Sequence, residues 1–151
     1  MGLNVDNIKK LREETGAGIL EVKETLAKFD GDYAKALEDL MSKASAKAAK
    51  KSDREIKDGL VYSYIHGTGK VGALVLMGCE TDFVAKTDDF TNLCKDVAMQ
   101  VCTGDYDNVE QILQDPFIKD SSKTVQSLIN DVVAKLGENI TLLEFKKLSV
   151  N

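Results

Sequence analysis

Residues 79–86 contain the side chains best suited to act on a partner molecule, in the order Cys-Glu-Thr-Asp-Phe-Val-Ala-Lys. They follow a strand-like apolar run at 71–78 and precede a helix-like run that starts near Asp88. On this connection a carboxylate, Asp82, stands beside an aromatic ring, Phe83. The ring could fill an apolar slot in a partner protein, while the carboxylate competes there for polar groups or a metal. The alternative is that Phe83 is a core residue and Asp82 a turn or capping carboxylate.

Other residues that could do chemistry lack the neighbours that catalysis needs. The single histidine, His66, has no local motif that would supply a nucleophile and an orienting acid. Residues 67–70, Gly-Thr-Gly-Lys, lack the spacing of a phosphate-binding loop. Cysteines 94 and 102 lie roughly 12 Å apart on one predicted helix, too far for a disulfide. We therefore expect no catalytic site, metal site or cofactor, and a protein that is not an enzyme.

Composition favours a soluble globular protein. The chain has 151 residues, 43% of them hydrophobic and 30% charged, and a net charge of -5. That charge argues against a chain built mainly to coat nucleic acid, so we expect no direct nucleic-acid partner. No apolar run approaches the ~20 residues of a membrane span, and residues 1–6 lack the apolar core of a secretory signal. We expect a cytoplasmic protein, not a membrane protein, with reduced cysteines.

The first forty residues predict three short amphipathic helices. Small or polar breaks at 15–18 and 30–32 separate the three apolar stripes, and Asp32 is a plausible cap for the third helix. The stripes consist of Val5, Ile8 and Leu11; Ile19, Val22 and Leu26; and Tyr33, Leu37, Leu40 and Met41.

Residues 43–58 predict a basic, partly helical linker, because their alanines are too small to anchor a core. Its basic side chains are Lys43, Lys47, Lys50, Lys51, Arg54 and Lys57. One interpretation is a solvated linker. The other is a contact with an acidic partner surface or with RNA phosphates.

From residue 59 the hydrophobic period changes from helix to strand. Residues 60–66 and 71–77 predict a β-hairpin, and 140–148 a third strand. One helix should begin after Thr87 and stop at Gly104, and another should run from about 123 to 136. Between them, 105–122 predicts a loop with one helical turn. The prediction is an α+β protein with domains at 1–42 and 59–151, joined by the linker at 43–58.

Four blocks of the chain resemble motifs of the elongation factor Ts family. Residues 81–86, Thr-Asp-Phe-Val-Ala-Lys, resemble its signature. Residues 11–18, 47–51 and 134–140 resemble its N-terminal, linker and C-terminal motifs. The blocks occur in family order and span nearly the whole chain.

The resemblance implies a fold. The family combines a three-helix, ubiquitin-associated-like N-terminal unit with a core of helices packed on a three-stranded antiparallel sheet. Long members carry two core subdomains and a coiled-coil insertion. This chain has room for one core, so it looks more like the short, single-core members, which form homodimers.

The resemblance also implies a function: guanine nucleotide exchange on GDP-bound elongation factor Tu during translation elongation. The signature segment would insert between two helices of the partner near its magnesium ion, and the N-terminal unit would grip the same domain. Carried over by position, the contact residues are Thr81, Asp82, Phe83 and Val84, with Arg12, Ile19 and Leu20. The family acts in the bacterial cytoplasm, and the matrix of an organelle stays open.

Three alternatives remain at this stage. One is a non-catalytic module whose N-terminal unit binds ubiquitin-like partners. Another binds RNA through the basic linker and two tyrosines, Tyr62 and Tyr64, although their spacing more simply predicts one packed face of a sheet. The third binds elongation factor Tu without speeding nucleotide release.

Overall fold

The computed structural model describes residues 3–151, and it confirms the predicted α+β fold. Helices come first, and a three-stranded antiparallel sheet packed with further helices follows. Two clusters of buried side chains hold the chain together, one among the first three helices and one between the sheet and its helices. Within residues 3–151, no helix has both the length and the apolar character needed to cross a bilayer.

The first three helices are α1 (Val5–Thr15), α2 (Ile19–Lys28) and α3 (Tyr33–Lys51). The predicted cap is confirmed, since the Asp32 side chain accepts a hydrogen bond from the Lys35 backbone N–H. The three apolar stripes meet in a small core of Ile8, Leu11, Val22, Leu26, Ala36 and Leu40.

Helix α3 continues through the first half of the predicted linker. Ala44 is buried, and Ala48 packs against the core cluster of the sheet. The Asn130 amide donates to the Ser45 hydroxyl at 3.2 Å. Small side chains therefore let α3 lie close to the second half of the chain, so residues 43–51 pack against it instead of standing free in solvent.

The sheet contains β1 (Asp58–His66), β2 (Val71–Cys79) and β5 (Thr141–Ser149), in the order β1-β2-β5. Both pairs are antiparallel, and β1 and β2 form the predicted hairpin. On β2, the side chains of Ala73, Val75 and Met77 alternate toward the core and are buried. The sheet thus has one face covered by helices and one face open.

Two long helices cover the inner face of the sheet: α5 (Asp88–Thr103) and α7 (Val125–Leu136). The Thr87 side chain caps α5, as predicted, by accepting from the Phe90 backbone N–H at 3.2 Å. Gly137 ends α7 with a positive φ of 78°, a conformation that glycine adopts without steric cost. These helices bury a continuous core that includes Phe90, Val97, Val101, Val125, Ile129 and Val133.

The segment between these helices differs from the prediction. Beyond the expected helical turn, α6 (Val109–Gln114), it forms a small hairpin of β3 (Pro116–Phe117) and β4 (Asp120–Thr124). The fully buried Gln100 organises it, because its amide donates to the Pro116 carbonyl and accepts from the Ile118 N–H. Polar residues 120–122 lack the apolar alternation that predicts a strand.

A buried ion pair joins the N-terminal helices to the rest of the chain. The Lys123 ammonium lies 3.0 Å from the Asp131 carboxylate and donates to the Glu14 backbone carbonyl at 2.5 Å. Gly16, which ends α1 at φ 71°, passes so close that an added Cβ would lie 2.4 Å from the Asp131 carbonyl oxygen. This close approach explains why the break after α1 needs glycine at that position.

Candidate functional site

The signature segment lies on a single helical turn between sheet and helix. Strand β2 ends at Cys79, the turn α4 covers Asp82–Ala85, and α5 begins at Asp88. Thr81 caps α4, since its hydroxyl oxygen accepts from the Val84 N–H at 3.4 Å. The turn is therefore bounded on both sides by regular structure, which limits how far it can move.

The side chains of α4 point in opposite directions. Phe83 is 80% exposed, whereas Val84 is only 7% exposed and belongs to the core cluster of the sheet, together with Ala85. The interpretation of Phe83 as a core residue is therefore wrong for this chain. Val84 anchors the turn from below and presents the neighbouring ring to solvent.

Asp82 is exposed next to that ring and forms an ion pair on its own helical turn. The Lys86 ammonium donates to the Asp82 carboxylate at 3.0 Å. This hydrogen bond lowers the pKa of Asp82 below its ordinary value, so the group is ionised at neutral pH. Both partners are largely exposed, and such a pair exchanges readily for another partner.

A carboxylate from another part of the chain holds the base of the turn. Glu138, just after α7, accepts from the backbone N–H groups of Glu80 and Thr81 at 3.1 and 3.0 Å. Its second oxygen accepts from the Thr81 hydroxyl at 2.6 Å. One carboxylate thereby satisfies three donors at the start of the signature segment.

Return contacts run in the other direction. The Glu80 carboxylate accepts from the Asn139 N–H at 2.6 Å and lies 3.7 Å from the Arg54 guanidinium. The Asn139 amide donates to the Arg54 carbonyl at 2.9 Å. The segment after α7 is therefore tied both to the signature segment and to the stretch that precedes β1.

The predicted N-terminal contact residues lie at the adjoining ends of α1 and α2. Arg12, Ile19 and Leu20 are all exposed. Arg12 and Ile19 line a groove whose opposite wall includes Lys135 of α7. The Lys135 ammonium also donates to Asp89, at the start of α5. The end of α7 thus lies between the groove and the helix that follows the signature segment.

Other predicted features have structural roles. Tyr62 and Tyr64 pack against the core cluster, and His66 is exposed next to Tyr64. Two basic side chains of α3, Lys43 and Lys47, are each 3.0 Å from a carboxylate, those of Asp39 and Glu21 respectively. The basic face is therefore partly neutralised by the protein itself.

The three cysteines are free and buried. Desolvation is the main cause that raises the pKa of Cys79 to about 11 and that of Cys94 to about 12. Among residues 3–151, histidine, cysteine and acidic side chains form no group of three that could hold a metal ion. The arrangement offers an exposed apolar and acidic tip on a rigid base.

Known proteins share this sequence over most of its length. The family model described as Elongation factor TS matches residues 80–151, from the base of the tip to the C-terminal residue. Elongation factor Ts of Syntrophomonas wolfei is 37% identical, over 98% of this chain and 90% of its own. That of Heliobacterium modesticaldum is 40% identical, over 91% and 85% respectively. The chain belongs to the elongation factor Ts family.

Membership makes the chain a translation elongation factor, and the alignments show how it differs from its relatives. The Syntrophomonas alignment extends over 193 positions, more than the 151 residues of this chain, so that relative has additional residues inside the matched region. Elongation factor Ts of Clostridium kluyveri is 42% identical over 95% of this chain but only 47% of its own length. The chain is therefore compact compared with each of these relatives.

The sequence motifs located the tip but missed the residues that hold it. Glu138 and Asn139 follow a glycine at a helix end, a place where polar residues are common and carry no special signal. Lys123 lay in a predicted loop, so its burial could not be foreseen. Only their hydrogen-bond partners, all distant in sequence, reveal what these side chains do.

Proposed function

We propose that the chain is a guanine nucleotide exchange factor that binds GDP-bound elongation factor Tu in the cytoplasm and promotes GDP release. The observation that carries this proposal is the Phe83 ring, 80% exposed on a turn whose next residue is locked into the core. A large apolar side chain held out in this way costs solvation in the free protein. Burial in a partner would recover that cost.

The tip would act as a wedge with a charge beside it. Phe83 would enter an apolar slot between two helices of the partner, near its magnesium ion. Asp82 would exchange its contact with Lys86 for polar groups that support that ion. Because both groups already lie on one exposed turn, insertion needs no unfolding of the factor.

Linkage determines how such a factor works. If its binding weakens GDP by a given ratio, GDP weakens its binding by the same ratio. Fresh nucleotide therefore expels the factor, and no covalent intermediate or general base is required. A chain without a catalytic constellation is suited to this task, and we propose that it is not an enzyme.

The N-terminal helices would provide a second grip. In this proposal, domain 1–42 contacts the partner through Arg12, Ile19 and Leu20, and the linker at 43–58 connects it to core domain 59–151. The buried pair of Lys123 and Asp131 supports a fixed spacing between the two grips, since it ties α1 to the core.

We further propose that two copies form the working unit through the open face of the sheet. This face presents Val61, Ile65, Leu74 and Leu148 to solvent, and Leu148 is 82% exposed. Contiguous exposed apolar side chains of this kind favour association with a surface of the same character. A second copy supplies such a surface by symmetry.

A nucleotide-release experiment tests the exchange function. Elongation factor Tu loaded with a fluorescent GDP analogue is mixed with excess GDP, with and without this protein, and release is followed by stopped flow. We expect release to accelerate with factor concentration and to reach a plateau. A complex that forms in a pull-down but leaves the release rate unchanged would contradict exchange and leave a binding function only.

A further inference from the structure

Glu138 makes hydrogen bonds that serve only the tip. All three go to Glu80 and Thr81, and within residues 3–151 its side chain bonds no other group. The residue belongs neither to α7, which ends at Leu136, nor to β5, which begins at Thr141. Its carboxylate therefore contributes nothing to the helix or strand beside it.

The tip depends on these bonds because α4 is too short to hold itself. A single turn of four residues does not repay the cost of helix nucleation. Its start is set by Thr81, whose hydroxyl accepts from the Val84 N–H and donates to Glu138. The direction of Phe83 follows from the orientation of Thr81, and Glu138 fixes that orientation.

Glu138 is itself held in place. Gly137 closes α7 by donating its N–H to the Val133 carbonyl at 2.8 Å. On the other side, the Asn139 N–H donates to the Glu80 carboxylate. The two loops therefore exchange carboxylates, each accepting from the backbone of the other, so the clamp stands on the end of a packed helix.

We infer that Glu138 is a positioning residue for nucleotide exchange: it holds α4 so that Phe83 is presented to the partner before contact. An ordered tip loses less conformational freedom on insertion, so more of the contact energy goes into opening the partner's nucleotide site. This inference rests on the proposed exchange function and adds to it the device that prepares the tip.

Three variants separate positioning from general stability. Glu138→Ala removes all three bonds. Glu138→Gln keeps an oxygen for the two backbone donors and offers its amide N–H to the Thr81 hydroxyl. Glu110→Ala removes a control carboxylate, exposed on α6 and bonded to Gln114. Circular dichroism and thermal unfolding establish that each variant is folded.

The first measurement is the rate of fluorescent GDP release at increasing factor concentration, which separates the plateau rate from the half-saturating concentration. For Glu138→Ala we expect the plateau to fall by about tenfold, since a misplacement of around 1 Å can have large effects on a positioned group. Glu138→Gln should restore it to within about threefold, and Glu110→Ala should match the parent protein.

The second measurement needs no partner. The chain contains no tryptophan, so Phe83→Trp places a single fluorescent reporter on the tip. Its steady-state anisotropy in the free protein reports how freely the ring moves. We expect Glu138→Ala to lower this anisotropy, and Glu138→Gln and Glu110→Ala to leave it near the Phe83→Trp value.

A fall in both anisotropy and plateau rate for Glu138→Ala, reversed by Glu138→Gln, supports the inference. Unchanged anisotropy overturns it, because the tip would then be ordered without the clamp. Lower anisotropy with an unchanged plateau rate also overturns it, because order would not matter for exchange. A parent protein that fails to speed release overturns the proposed function itself, a result recognisable because anisotropy does not involve the partner.

Discussion

Replacing Phe83 by alanine should impair exchange strongly while leaving the fold intact. Full burial of a large apolar side chain contributes about 1.5–3 kcal/mol. The ring is 80% exposed in the free protein, so most of that range, about 1–2.5 kcal/mol, is available at the interface. It corresponds to a loss of about 5- to 60-fold in the second-order rate of release. Stability should change by no more than about 0.5 kcal/mol.

The assay is stopped-flow release of fluorescent GDP from elongation factor Tu, combined with urea unfolding of the free variant. Ile118→Ala is a matched control, since Ile118 is also an exposed apolar side chain. It lies beside Gln100, about 18 Å along α5 from the end near the tip. Parent-like release by a folded Phe83→Ala variant would refute the wedge. A large loss of stability would show that the ring supports the fold after all.

Three further predictions concern the rest of the molecule. In urea unfolding, Lys123→Met should cost about 3–5 kcal/mol, and adding Asp131→Leu should recover much of that. Burial raises the pKa of Asp131 to about 6, so its contribution to stability is present below pH 4 and lost as pH rises through 6; the double variant should lack this slope. Native Cys94 should resist iodoacetamide at pH 8, in mass spectra, because burial raises its pKa to about 12. By sedimentation the protein should be a dimer and Leu74→Asp a monomer; a parent that stays monomeric at high concentration would contradict the sheet-face proposal.

Local patterns were sufficient to locate the main elements. Helical spacing of apolar residues predicted α1, α2, α5 and α7, and alternation predicted the sheet strands. Capping residues gave two of the boundaries, because Asp32 and Thr87 bond to backbone groups three residues ahead. These signals depend on contacts within a few residues along the chain, and therefore they can be recognised without any knowledge of the fold.

The same patterns gave no warning of α3 packing through residues 43–51, or of the small hairpin at 116–124. Alanine appeared too small to anchor a core, yet Ala44 and Ala48 allow close helix contact because they are small. The hairpin is organised by Gln100, a polar residue whose bonding partners are up to 18 positions away. Both features depend on neighbours that the sequence order does not indicate.

The sequence by itself determined where the tip lies and which residues it contains. Only the tertiary structure decided that Phe83 is exposed, that Val84 is its anchor, and that Glu138 supports both from 57 positions away. The physical reason is that capping and hydrophobic period act over single turns and strands. Burial and hydrogen bonds between distant loops arise only once α7 and the sheet have packed together.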